Sequence, residues 1–115
     1  TRTMPRFKLV FFVPVASTQH VLGRLFERFP RNVGRIGAYG GCAFVSRGTG
    51  QFTPLDGAHP AIGEVGRPER VEEDRVEVVV QADSEADLSD AGLREGQRVH
   101  PYEEVAYDVY RLEDF

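Results

Sequence analysis

The run from Phe7 to Val13 constrains the fold of this chain more than any other segment. It is rich in β-branched and aromatic side chains, which is typical of a strand that is largely buried on both faces. The longest apolar run, Leu9 to Ala16, is too short to span a bilayer and contains Pro14. We therefore predict a buried strand near the start of a soluble domain.

Glycine and proline divide the middle of the chain into separate elements. Apolar residues at helical spacing predict a helix that begins at Ser17 or Thr18 and ends before Pro30. Cys42 to Ser46 is expected to form a second strand. Residues 53–70 hold three prolines and three glycines, which indicates an extra loop or a short hairpin.

The second half of the chain supplies the remaining elements. The valines between Val71 and Ala82 predict a third strand, with alternate valines on one face. A second helix is expected over Asp83 to Glu95, and a last strand over Glu104 to Leu112. The order βαββαβ is that of the ferredoxin-like α+β fold, an antiparallel sheet with both helices on one face.

Composition limits the class of protein. The 115 residues suit one domain, which we place at 7–115 behind a loose N-terminus at 1–6. The net charge of −4, from 14 basic and 18 acidic residues, argues against a nucleic-acid partner, which requires a basic surface. The lone Cys42 cannot form an internal disulfide and fits a reducing compartment. With no signal-peptide pattern or membrane span expected, we predict a cytoplasmic location.

The predicted topology places the first strand at the centre of the sheet. Its side chains alternate, so Val10 and Phe12 point away from the helices. That open face would also expose either Tyr107 or Tyr110, and a patch of this kind suggests a partner surface. We expect a homo-oligomer, a trimer or dimer, that buries it. The alternative is a loop that folds back over the sheet.

Ordered motifs along the chain carry a family resemblance. They are Gly34-Arg35-Ile36-Gly37-x-Tyr39, Cys42-x-Phe44, Gly48-Thr49-Gly50-x-Phe52-x-Pro54, Gly57-Ala58-x-Pro60-x-Ile62-Gly63-x-Val65-Gly66, and His100-Pro101-Tyr102-Glu103-Glu104-x-Ala106-Tyr107-Asp108. In them the chain resembles the small inserted domain of the Nif-three-like (NGG-one-interacting-factor-three-like) family, itself similar to the trimeric CutA and PII folds. The resemblance implies a stand-alone version of the insert with a CutA/PII-like fold. The family's two-metal site belongs to flanking sequence, so its metal chemistry is not carried over.

The segment from His100 to Glu104 is the best candidate for chemistry. Imidazole and carboxylate suit zinc and similar divalent metals, so His100 and Glu103 are candidate ligands at a subunit interface. Cys42 and His59 are candidates to complete the set. The structural alternative is that Pro101 stops a helix while the glutamates satisfy loop amides or ion pairs. Cys42 is then a small buried thiol, and His59 a loop residue.

Two glycine-rich segments are candidate ligand-binding loops. Gly37 and Tyr39 in the first, and Gly48, Thr49 and Gly50 in the second, could present backbone amides to a phosphate or carboxylate. Neither matches a Walker loop or a dinucleotide fingerprint. Glycines that supply positive φ angles in turns would explain the same residues.

The sequence supports no catalytic triad and no catalytic carboxylate pair. It favours a non-enzymatic, oligomeric binding or regulatory module with a small-molecule ligand. The alternative is a divalent-metal-binding protein that uses His100 and a nearby glutamate. An enzyme is the third and weakest hypothesis.

Overall fold

The computed structural model describes residues 5–82 and 94–115, which form an antiparallel sheet with helices on one face. Their elements, in chain order, are β1 (Arg6–Pro14), a 3₁₀ turn (Val15–Ser17), α1 (Thr18–Arg28), β2 (Phe44–Phe52), β3 (Glu69–Gln81), α2 (Arg94–Val99) and β4 (Tyr107–Arg111). This is the predicted order, and the ferredoxin-like α+β fold is confirmed. No helix in these ranges is long and apolar enough to cross a membrane.

The sheet has the strand order β2-β3-β1-β4 within the described ranges, so β1 is central as predicted. β1 pairs with β3 along its whole length, from Arg6 opposite Gln81 to Pro14 opposite Glu73. β4 pairs only with the first part of β1 and stops where Phe11 lies opposite Tyr107. The last residues of β1 therefore have no β4 partner on that edge.

One apolar face of the sheet packs against α1 to form the core. Alternation along the strands brings side chains of β1 and β3 to this face, and none of the cluster is more than 7% exposed. Its members from the sheet and helix are Phe7, Leu9, Phe11, Val13, Val76, Val78, Val80, Val21, Leu22 and Leu25. Burying each large aliphatic side chain is worth about 1.5 to 3 kcal/mol. The predicted division of β1 and β3 into two faces is confirmed.

Helix α1 begins and ends near the predicted residues, for two different reasons. At its start the Thr18 hydroxyl donates to Asp74 Oδ2 at 2.5 Å, which ties the helix to β3 rather than capping it. At its end the Phe29 N–H still donates to the Leu25 carbonyl, and Pro30 then supplies no N–H to continue the helix.

Several predicted boundaries differ from the structure, and three of the differences bear on the site. β2 runs on to Phe52, so the residues from Gly48 to Gly50 lie inside a strand and not in a turn. β4 begins at Tyr107 rather than at Glu104. Most of the predicted second helix, residues 83–93, lies outside the described residues, and α2 covers only Arg94–Val99.

The open face of the sheet is less apolar than expected. Val10 points to that face but is only 1% exposed. Lys8 and Arg75 both pair with Glu77, at 3.7 and 3.6 Å, and the Arg75 guanidinium lies 5.8 Å from the ring centre of Phe12. The prediction that Val10 is exposed is wrong, because long charged side chains extend across this face.

Candidate ligand-binding cleft

A cleft of about 550 Å³ opens where the end of β2 and the loop after it face the segment between α2 and β4. Phe12 of β1 and Glu73 of β3 complete its wall, so the loop does fold back over part of the open face. The lining residues are Phe12, Gly50, Gln51, Phe52, Thr53, Pro54, Leu55, Ala58, Pro60, Ala61, Ile62, Glu73, Tyr102, Glu103, Glu104 and Ala106.

Glu73 is the most buried charged group in the cleft. The register places it on the open face beyond Arg75, and it is only 8% exposed. Its carboxylate lies over Gly50 of the neighbouring strand, where a Cβ atom would collide with it. Gly50 is therefore required for close approach of this side chain, and not for a positive φ angle.

Tyr102 holds the Glu73 carboxylate in place. Its hydroxyl donates to Glu73 Oε2 at 2.8 Å, and its ring meets Phe52 edge to face, with centroids 5.9 Å apart. Burial, followed by the hydrogen bond to Glu73, raises the pKa of the Tyr102 phenol. The phenol therefore keeps its proton and remains a donor.

His100 closes the edge of β1 that β4 leaves open. Its Nε2 lies 2.6 Å from the Phe12 carbonyl oxygen, and its Nδ1 accepts the Tyr102 N–H at 3.0 Å. These partners assign the ring proton to Nε2. Burial lowers the pKa of His100, so the ring is neutral. The residue acts here as a strand partner and positions Tyr102.

Glu103 fastens the loop after β2 to the other wall of the cleft. Its Oε1 accepts the His59 N–H at 2.8 Å. Glu103 and Glu104 both line the cleft because they precede β4 and do not alternate as strand residues would.

The predicted ligand-binding glycines do not form one site. Gly37 and Tyr39 lie in a turn closed by paired backbone hydrogen bonds between Ile36 and Tyr39, and Tyr39 is 75% exposed. Gly48 and Thr49 lie in β2 opposite β3, away from the cleft lining. Gly50 alone of this set reaches the cleft. Positive φ angles occur at Gly34 and Gly37, as the turn interpretation predicts.

The predicted metal ligands are only partly brought together. The cleft segment contains His100 and Glu103, and Glu103 contacts the His59 backbone. Cys42 is half-buried in the turn region, where its N–H donates to the Gly34 carbonyl at 2.8 Å. In the described ranges no group of three or more His, Cys, Asp or Glu side chains is arranged to hold a metal. Metal binding stays a prediction.

No family model matches the chain, but named relatives do. The GTP cyclohydrolase 1 type 2 homolog of Mycobacterium tuberculosis is 45% identical over 105 residues, which make up 91% of this chain and 26% of that protein. The protein of the same name in Bacillus subtilis is 44% identical over 113 residues, 98% of this chain and 28% of that protein. The chain thus spans about a quarter of the length of the curated relatives that it matches.

Solved structures agree with the architecture. A Bacillus cereus protein related to NIF3 matches with a TM-score of 0.77 and 38% identity, covering 99% of this chain and 27% of that one. The divalent ion tolerance protein CutA1 of Ehrlichia chaffeensis matches with a TM-score of 0.67 and 15% identity, covering 99% of this chain and 87% of that one. A Bacillus subtilis GlnK–ATP complex matches with a TM-score of 0.52 and 14% identity, covering 94% of this chain and 84% of that one. The last two show the fold alone. The CutA/PII-like architecture predicted from the sequence is confirmed.

Proposed function

We propose that this chain is the ferredoxin-like module of a NIF3-like protein and that it binds a small molecule in the cleft between β2, β3 and the segment before β4. The observation that carries the proposal is the cleft itself. Its volume of about 550 Å³ falls within the range of ligand sites, about 300 to 1,000 Å³. Its lining is mainly apolar and aromatic with a few polar groups, which is the usual composition of such a site.

The walls of the cleft are fixed before a ligand arrives. Tyr102 holds Glu73, His100 holds the backbone of Tyr102, and Glu103 holds the backbone of His59. Preformed walls lower the ordering cost of binding. This network supports a binding module whose groups are positioned in advance.

The hydrogen bonds of His100 favour binding rather than catalysis. His100 is the type of residue best suited to proton transfer near neutral pH. Both of its ring nitrogens are engaged with backbone groups. We therefore propose a non-enzymatic role for this segment.

The relatives are named after a GTP enzyme, but this cleft does not suit a triphosphate. Among the residues that line it there is no Lys or Arg to pair with phosphate. Three glutamates, Glu73, Glu103 and Glu104, line it instead. We therefore do not place GTP here.

Thermal unfolding against a metabolite library tests the proposal. A ligand at 100 times its Kd stabilises the folded state by about 2.7 kcal/mol. Ala61→Trp fills the cleft and should abolish the shift in Tm, whereas Ala43→Trp, at an exposed position outside the cleft, should keep it. A stabilising ligand that is insensitive to Ala61→Trp would place binding elsewhere and contradict the proposal.

We also propose that the chain is a homo-oligomer in the cytoplasm. Phe44 at one end of the open face is 65% exposed, and Tyr110 at the other end is 52% exposed. These residues belong to the two edge strands, so a second copy that packs across this face would bury both side chains. The single Cys42 is consistent with a reducing compartment.

Divalent-metal binding is the alternative proposal. The hydrogen bond from the His59 N–H to Glu103 Oε1 supports it, because it brings two of the four proposed ligand residues close together. His100 would have to give up one of its two hydrogen bonds to join them. Elemental analysis of protein purified without a metal-affinity tag decides it. A zinc-like ion in fixed ratio, lost in His100→Ala, supports the alternative, and metal-free protein contradicts it.

A further inference from the structure

The charge inside the cleft is of one sign. Glu73, Glu103 and Glu104 line it, and its lining includes neither Lys nor Arg. Low-dielectric walls concentrate the field of such a group of charges. Glu103 and Glu104 are exposed, whereas Glu73 is buried, so the surroundings of Glu73 determine what this group of charges can bind.

Glu73 differs from the other buried carboxylates. Asp74, which is 5% exposed, pairs with Arg47 at 3.3 Å, and Glu95, which is 7% exposed, pairs with Arg98 at 2.7 Å. Glu73 is more than nine-tenths buried, yet no ion pair in the described ranges includes it. The neutral Tyr102 hydroxyl donates a hydrogen bond to its Oε2 atom.

A carboxylate that is largely removed from water and has no cationic partner gains from an ion pair. A cation that enters the cleft would supply that partner. In the described ranges Oε1 of Glu73 accepts no hydrogen bond, and no fully buried side-chain oxygen there lacks one, so Oε1 keeps contact with solvent. The absence of a Cβ atom at residue 50 lets this oxygen lie against β2 at the wall of the cleft.

The rest of the cleft suits an apolar or aromatic body. The rings of Phe12, Phe52 and Tyr102 line it, together with Ile62 and several prolines and alanines. Aromatic faces also attract cations, and this attraction adds to the electrostatic attraction of the carboxylate.

We infer that the cleft selects an organic cation, an ammonium, guanidinium or protonated nitrogen heterocycle on an apolar or aromatic body, with Glu73 as its counter-ion. This inference rests on the proposed function, since it names the class of small molecule that the cleft binds. In this interpretation Gly50 and Tyr102 both position the Glu73 carboxylate at the wall of the cleft.

Three probes of similar shape and different charge test the inference: phenethylammonium, 2-phenylethanol and 3-phenylpropanoate, titrated by calorimetry and by ¹H–¹⁵N NMR. We expect phenethylammonium to bind about tenfold or more tightly than 2-phenylethanol, because a hydrogen bond to a charged group is worth more than a neutral one. We expect 3-phenylpropanoate to bind most weakly of the three.

Glu73→Gln should remove the preference for the cation while it keeps the side-chain length and the hydrogen bond from Tyr102. Glu72→Gln is the matched control, because Glu72 is exposed and lies on the other face of β3. It should leave all three titrations unchanged. Circular dichroism confirms that both variants are folded.

The inference is overturned if phenethylammonium binds no more tightly than 2-phenylethanol, or if Glu73→Gln leaves its affinity unchanged. The proposed function fails on a separate result. It fails if no probe shifts the resonances of the cleft residues and no library compound gives a stabilisation that Ala61→Trp removes.

Discussion

At the scale of single residues, one missing Cβ atom shapes the cleft. Gly50 and Gly48 both lie in β2, and neither has a positive φ angle. A Cβ atom at Gly50 would collide with the Glu73 carboxylate, whereas a Cβ atom at Gly48 would meet nothing within 4 Å. Two glycines that lie two positions apart in one strand therefore have different structural roles.

We predict that Gly50→Ala lowers the free energy of unfolding by about 1 to 3 kcal/mol, because Glu73 must move and give up the hydrogen bond from Tyr102. Gly48→Ala should be neutral or stabilising by about 0.5 to 1 kcal/mol, since alanine is better than glycine in a strand. Urea denaturation followed by circular dichroism measures both. Equal effects of the two substitutions would contradict the role assigned to Gly50.

The sequence did not indicate Glu73 as a residue of the cleft, and Cys42, one of the predicted metal ligands, lies outside the cleft lining. Glu73 occurs in a run of acidic residues that looks like a solvated face. Its burial depends on Tyr102 and Gly50, which are 29 and 23 positions away in the chain. One signal was available: a glycine inside a strand often marks the close approach of another group.

At the scale of elements, the short length of β4 determines which residues line the cleft. β4 ends its pairing with β1 at Phe11, so the Phe12 carbonyl has no strand partner on that side. His100 takes that place through Nε2 and fixes Tyr102 through Nδ1. The segment from His100 to Ala106 is thus available to line the cleft instead of extending the strand.

This arrangement predicts a pH dependence. Burial lowers the folded-state pKa of His100 below its ordinary value of 6.5, while the Phe12 carbonyl and the Glu73 charge act in the opposite direction. The unfolded chain therefore takes up the proton more readily than the folded chain. The contribution of His100 to the free energy of unfolding is fully present above about pH 6.5 and is lost as the pH is lowered through that value. The loss levels off once the folded-state pKa is passed.

Urea midpoints at pH 7.5 and pH 5.5 measure this effect in wild type and in His100→Gln. We expect the difference between the two midpoints to shrink in His100→Gln. His20→Gln is the control, since His20 is exposed on α1, and it should behave as wild type does. An unchanged pH difference in His100→Gln would show that His100 is not the group responsible.

At the scale of the whole molecule, the chain is elongated. Its principal extents are 54 × 25 × 25 Å, and its radius of gyration of 15.2 Å exceeds the roughly 13 Å of a compact chain of this length. β2 is an edge strand with most of its residues exposed. An exposed edge is a surface that proteins usually cover or pair.

We predict a dimer or trimer by light scattering coupled to size-exclusion chromatography. Phe44→Asp should shift the chain toward monomer, because a charge at this exposed apolar position opposes burial against a second copy. Val65→Asp, at a 45% exposed loop position, is the control and should keep the wild-type mass. A wild-type monomer at about 100 μM would contradict the proposed assembly.

The sequence by itself determined the order of the elements, the central position of β1 and the two faces of β1 and β3. These follow from hydrophobic periodicity and from proline and glycine breaks, which are local properties. Only the tertiary structure determined the position and lining of the cleft. Gly50, Glu73 and Tyr102 meet through strand register and because β4 pairs with only the first part of β1. The alternation of β3 places Glu73 on the open face, but it does not specify that Gly50 of β2 lies beside the carboxylate or that Tyr102 donates to it.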